Sequence, residues 1–253
     1  MEKSNLLQGK TALITGGARG IGKAIAIKLA QHGADIIIIY YNSSDEAEKL
    51  KLQLEKTGSC VSCFQANVAD EQSVKELSLK IKNQYENIDF LISNAASGVL
   101  KPALKMTTKH WRWCMETNAL ALNHLVKNLY DILSHNGRVL ALSSLGADRA
   151  IPNYSFIGAS KAALESLIRY LALELAEKKI NVNCVSAGVV DTDALKYFPN
   201  RDELLSTYES RSLAQEPLLP SHVADAVYLL CLPEAKMINA QTIYVDAGYS
   251  KLG

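Results

Sequence analysis

The stretch TALITGGARGIG, Thr11–Gly22, decides how the rest of the chain is read. Five residues with the make-up of a buried strand run into a loop with glycines at 16, 20 and 22, and a helix-length segment follows at once. Glycines at these places let the backbone turn tightly, let it approach a pyrophosphate closely, and open a helix whose first amides face the anion. A glycine triplet alone is weak evidence; between a first strand and a first helix it has the setting a dinucleotide requires. Gly16, Gly20, Ile21 and Gly22 are therefore expected to cradle the cofactor's phosphates.

The same alternation continues to the end of the chain. Apolar runs at 11–15, 35–40, 60–66, 88–93, 137–144, 180–187 and 242–246 alternate with amphipathic stretches near 20–32, 44–57, 70–86, 108–134, 154–177 and 221–232. That order predicts an α/β protein of the Rossmann type: a doubly wound parallel sheet of seven strands with helices on both faces, in one domain over 1–253. Residues 191–220 break the rhythm. They are polar, hold Pro199, Pro217 and Pro220, and are too long for an ordinary connection, so a substrate lid is expected there.

Bulk numbers exclude several classes. With 27 Lys and Arg against 26 Asp and Glu, no net field draws the chain to nucleic acid or to an anionic membrane. No apolar run is long enough for a bilayer, and the short polar Met1–Lys10 leaves no room for a leader. Five scattered cysteines suggest reduced thiols and a cytoplasmic protein. Cys60 and Cys63 form a C-x-x-C, but no second ligand pair and no helix start follow, so neither a metal site nor a redox motif is expected.

The loop T-G-x-x-x-G-x-G, NAAS at 94–97, Asn118 in a helical stretch, a later serine, tyrosine and lysine, and QTIYVDAG at 241–248 together resemble the short-chain dehydrogenase/reductase family over nearly the whole chain. The resemblance implies a nicotinamide dinucleotide. An NAD enzyme carries a carboxylate at the end of the second strand, which accepts from the ribose 2′-hydroxyl and repels a 2′-phosphate. Here that place holds Tyr40, followed by Tyr41, Asn42 and Ser43, with no acid before Asp45, while Arg19 in the glycine loop offers a charged fork. NADPH is the expected cofactor. The resemblance further implies Asn67 and Val68 near the adenine, with Asn67 keeping an acceptor where the family usually has an aspartate. It puts Asn94 at the sheet edge beside the cofactor, and Thr192 near the nicotinamide amide in SAGVVDT (186–192), where Ala187 replaces a proline.

The family's tyrosine lies four residues before its lysine, and its serine thirteen before the tyrosine. Counted back from Lys161 in NYSFIGASK (153–161), those places are Ile157 and Ser144. Isoleucine has no proton to give, and Tyr154, three residues earlier, is displaced by about 4.5 Å along a helix axis and about 60° around it. In ketone reduction the carbon that takes the hydride bears the oxygen. In an enoyl thioester the hydride adds to the β-carbon and charge appears on a carbonyl oxygen two carbons away, so the donor must be displaced with it.

With NAASGVLKP (94–102), HWRW (110–113), SSLGADRAIPNY (143–154) and VVDTDALKYFPNRDELL (189–205), the Y-x6-K spacing resembles the enoyl-acyl-carrier-protein reductases of type III within this family. That resemblance implies a role for each residue. Tyr154 hydrogen-bonds the thioester carbonyl and stabilises or protonates the enolate; Lys161 holds the ribose hydroxyls and favours the tyrosinate; Asn118 fixes the lysine through water or the helix backbone; Ser144 sits near the substrate carbonyl. It also implies acyl carrier protein or an acyl thioester as partner, met by lid cations such as Lys196, Arg201 and Arg211, and a homotetramer built on the helices near 108–134 and 154–177. Trp111 and Trp113 are expected as core or interface anchors. Two other readings stay open: a 3-ketoacyl or other carbonyl reductase in which Tyr154 reaches the ketone through a bent helix start near Gly158, and a non-catalytic nucleotide-binding scaffold.

Overall fold

Four consecutive isoleucines, Ile36–Ile39, can all be buried only in a strand covered on both faces. The computed structural model, which describes residues 5–197 and 200–252, shows that arrangement. Its strands are β1 (Thr11–Thr15), β2 (Asp35–Tyr40), β3 (Val61–Gln65), β4 (Ile88–Ser93), β5 (Leu133–Ser144), β6 (Asn181–Ala187) and β7 (Thr242–Val245). They form one sheet in the order β3-β2-β1-β4-β5-β6-β7, and every pairing is parallel. Chain direction across the sheet reverses between β1 and β4, the place where an open sheet of this kind opens a crevice beyond its carboxyl ends.

The alternation of side chains sorts the core into two layers. Ile36 and Ile38 face α1 (Gly20–Gln31), α2 (Ser44–Glu55) and α8 (Pro220–Cys231), through Ile25, Leu29, Leu50 and Val227. Ile37 and Ile39 face the other layer, which includes α3 (Glu71–Lys82), α5 (Ala121–Leu129) and α6 (Ser155–Glu174), through Leu77, Leu125 and Leu164. No helix among the described residues is long and apolar enough to cross a membrane.

One expectation is corrected. The stretch 108–134 is not one helix: α4 (Thr108–Met115) passes through a π-helical turn, Glu116–Leu120, into α5, and β5 already begins at Leu133. A π-turn differs from the α-helix on either side in which carbonyl each N–H reaches, and residue types do not mark that. The early start of β5 is irregular. Leu133 pairs with Ile88, the register slips before Arg138 meets Phe90, and Asn136 takes φ 60° in the slip. Residues 191–220, where a lid is expected, hold a 3-10 turn, Asp193–Tyr197, and the helix α7, Arg201–Arg211, before Pro220 opens α8. Pro199 lies outside the described residues. The sequence of α7, RDELLSTYESR, buries only Tyr208 fully, which is why no apolar stripe announces it.

One buried cation joins the two ends of this layout. Arg138 on β5 donates from Nε to Leu230 O at 3.1 Å and from Nη2 to Leu232 O at 3.3 Å, covering carbonyls at the C-terminal end of α8. Its Nη1 donates to the carbonyls of Asn136 and Gly137. Burial lowers its pKa, and among the described residues no carboxylate pairs with it.

Candidate active site

The loop after β1 is pinned on both sides. Gly16 N–H donates to Ile39 O at 2.8 Å, while Asn94, just past β4, donates its amide to Thr15 O at 3.0 Å and to Gly16 O at 3.1 Å. A Cβ on Gly22 would sit 2.3 Å from Gly16 O and 2.5 Å from Asn94 Nδ2, so only glycine lets α1 start this close. The room a Cβ would fill is what a pyrophosphate needs to reach backbone amides, and the loop fits a dinucleotide on that ground. Asn94 thus acts on the loop itself as well as on the sheet edge.

Arg19 is exposed at the N-cap of α1, makes no side-chain capping bond, and has no ion-pair partner among the described residues. It shares one cavity of about 1600 Å³ with Tyr40, Asn42, Ser43, Asn67, Val68 and Thr192. Asp45 is set back in the first turn of α2 and does not line that cavity. Asn67 Oδ1 accepts from Ala69 N–H at 3.1 Å and keeps a second lone pair to offer.

The far part of the cavity holds the catalytic candidates. Tyr154 is the N-cap residue of α6, with φ −107° and ψ 9°, so the helix starts after it and not before. Its hydroxyl lies 3.2 Å from Ser144 Oγ, which also accepts from Gly146 N–H at 3.2 Å. The ring rests against Gly146, where a Cβ would lie 2.5 Å from ring carbons. Burial pushes the phenol pKa up, and the bond to Ser144 opposes the rise.

Lys161 is 5% exposed, and its ammonium donates to Leu142 O at 2.6 Å. Burial lowers its pKa to about 8, against the pull of Cys184 and Glu165. Glu165 follows Lys161 at the i+4 spacing and accepts from Ser143 Oγ. Asn118, inside the π-turn, accepts from Ser97 N–H at 2.8 Å and donates to Ser97 O and to Ser160 Oγ, both at 2.9 Å.

A family model described as "Enoyl-(Acyl carrier protein) reductase" matches residues 16–250. A crystal structure of a short chain dehydrogenase from Burkholderia cenocepacia, in complex with NADP, superposes with a TM-score of 0.88 at 31% identity, covering 96% of this chain and 98% of that one. The chain is a short-chain dehydrogenase/reductase. Among curated relatives of this reductase, a 1-cyclohexenylcarbonyl-CoA reductase of Streptomyces collinus is 32% identical over 95% of this chain and 87% of its own length. A hydroxynaphthalene reductase-like protein of Metarhizium anisopliae is 31% identical, covering 98% and 97%.

Within this short-chain dehydrogenase/reductase, the place of the usual tyrosine is an apolar plug. Ile157 is 9% exposed and packs so tightly on Gly98 that a Cβ there would lie 2.3 Å from Ile157 Cγ1. Lys161 turns its ammonium to Leu142 O. Asn118 reaches Ser160, the residue before the lysine. Of the two places expected for the tryptophans, the core is not theirs: Trp111 is 41% exposed and stands edge-on to Phe156 at 5.2 Å, and Trp113, 43% exposed, lines the cavity. The lid cations are engaged as well, Lys196 with Asp193 at 2.6 Å, Arg201 with Asp191 and Asp202 at 2.7 Å, and Arg211 over the Tyr249 ring. Ser160 and Glu165 were missed; their spacing on the helix of Lys161 was the signal that could have found them.

Proposed function

We propose that this reductase uses NADPH to reduce the trans-2 double bond of enoyl thioesters carried on acyl carrier protein, in fatty acid elongation or a related pathway. The observation that carries the reading is the pair of hydroxyls, Tyr154 and Ser144 at 3.2 Å, at the helix start, with Ile157 filling the usual tyrosine place. The description of the matching family model and the conjugated thioester in the name of the Streptomyces relative support it.

Bound NADPH supplies a hydride to the β-carbon of the conjugated system. Tyr154 donates its O–H to the thioester carbonyl oxygen and stabilises the enolate charge that gathers there, a bond that strengthens toward the transition state, and a proton from solvent then completes the α-carbon. Ser144 orients the phenol. Lys161 holds ribose hydroxyls through its ammonium, and Asn118 keeps the lysine's helix against the loop at Ser97. Thr192 lies by the nicotinamide amide and Asn67 and Val68 by the adenine. Arg19, with Tyr40, Asn42 and Ser43, binds the 2′-phosphate. Residues 191–220 close over the acyl chain and exclude water. The subunits assemble as a homotetramer through the layer of α4, α5 and α6, where Tyr170 and Leu173 are exposed.

A second reading, a carbonyl reductase, is favoured by the same hydroxyl pair, which could also face a ketone oxygen, and by the name of the Metarhizium relative. The deciding assay follows NADPH oxidation with crotonyl and with 3-ketobutyryl thioesters; turnover of the ketone alone sinks the enoyl reading. Arg19→Ala should raise KM for NADPH by about tenfold and leave KM for NADH within about twofold. An equal change for both cofactors would remove Arg19 from the 2′-phosphate site.

A further inference from the structure

We infer that one face of α4, at the mouth of the cavity, binds the phosphate of the phosphopantetheine arm on which the acyl thioester is carried; the inference rests on the thioester reading above. Lys109, Arg112, Trp113 and Glu116 all line the cavity, and their spacing of i, i+3, i+4 and i+7 puts them on a single helical face. Lys109 and Arg112 are exposed and neither has an ion-pair partner among the described residues. From Asn94 to Met115 the chain holds Lys101, Lys105, Lys109 and Arg112 and no Asp or Glu. Glu116 is the first acid on the face, and it pairs with neither cation.

The contrast with the segment after β6 gives this its force. There Lys196 and Arg201 are paired with aspartates, whereas Lys109 and Arg112, which line the cavity, have no such partner among the described residues. The dinucleotide's own phosphates are accounted for by Gly16–Gly22 and Arg19. An ammonium and a guanidinium fork three residues apart suit a phosphate ester, which accepts from both. Trp113 beside them offers a flat apolar surface to the pantetheine chain, and Leu100, Ile151 and Tyr154 line the same cavity. With the phosphate held at α4, the thioester end of the arm is the one left to reach Tyr154.

The test compares crotonyl-4′-phosphopantetheine with crotonyl-pantetheine, which differ only in the phosphate. The wild type should show a KM about tenfold lower for the phosphorylated substrate, and K109Q/R112Q should bring the ratio to about one. A ratio that survives the double substitution, or that is already one in the wild type, overturns the subsite. Crotonyl-CoA and crotonyl-carrier protein then identify the source: a KM rise in the variant with both, or with coenzyme A alone, supports the phosphate site. A rise with the carrier protein alone means that the cations meet the protein's acidic surface, and overturns it. If the wild type turns over none of these thioesters, the carrier-protein substrate included, the enoyl reading fails separately. The subsite is then read from quenching of tryptophan fluorescence by 4′-phosphopantetheine, which K109Q/R112Q should abolish; no quenching in the wild type rejects it.

Discussion

Tyr154→Phe is expected to lower kcat for crotonyl-thioester reduction by about 10²–10³, the usual loss when one donor to a developing oxyanion is removed. The fold should not notice. The ring remains against Gly146, the backbone bond from Gly158 N–H to Tyr154 O at 2.7 Å is untouched, and only a hydroxyl bonded to Ser144 is lost. KM for NADPH should stay within about twofold, because transition-state stabilisation is removed and not cofactor binding. Adding Ile157→Tyr to that variant separates the two enzymatic readings. A carbonyl reductase should regain ketone turnover with the tyrosine back at four residues from Lys161, whereas an enoyl reductase should stay inactive. Undiminished activity of Tyr154→Phe would reject both mechanisms.

Lys161→Met should move stability and activity in opposite directions. The ammonium is buried with one carbonyl partner, and a fall in its pKa from 10.5 to about 8 corresponds to an order of 3 kcal/mol against the charged form. Methionine removes that cost but leaves Leu142 O without its donor, so the net gain should be about 1–2 kcal/mol, or a Tm higher by about 3–6 °C. The same variant should lose most of its activity, since the ribose loses its cation. The sign with pH follows from proton counts. Between about 8 and 10.5 the unfolded chain holds the lysine proton and the folded one does not, so wild-type stability rises with pH in that window. The advantage of Lys161→Met is therefore full below pH 8 and fades toward 10.5. Thermal melts at pH 7 and pH 10 read it directly, and a wild type that is the more stable at pH 7 would show that Lys161 is well solvated or well paired.

Strands were the legible part of this chain because their burial on both faces forces continuous apolar runs: DIIIIY and IDFLIS match β2 and β4 residue for residue. The glycine loop was legible for a steric reason, since the close approach of Gly22 to Gly16 tolerates no side chain. Where one dimension of information ran short, so did the reading. The π-turn at Asn118 differs from its flanking helices only in hydrogen-bond pattern, α7 has no apolar face, and the slip at Asn136 depends on what β4 offers opposite. The unusual tyrosine spacing was visible in sequence. That Tyr154 caps α6 and rests on Gly146 was not, because the contact is made across a turn whose path the spacing does not specify.

Arg138 has a consequence for the order of events during synthesis. Its acceptors, Leu230 O and Leu232 O, lie 92 and 94 residues further on, so they leave the ribosome long after β5 does. Until then the guanidinium has only Asn136 O and Gly137 O within the chain, and burying it that way leaves donors unmet. The nascent chain can therefore assemble β1 to β4 early, but β5 has reason to remain hydrated until α8 emerges. Emergence of α8 becomes the step that lets β5 settle, and the Ser144 end of β5 acquires its final position together with that helix rather than before it.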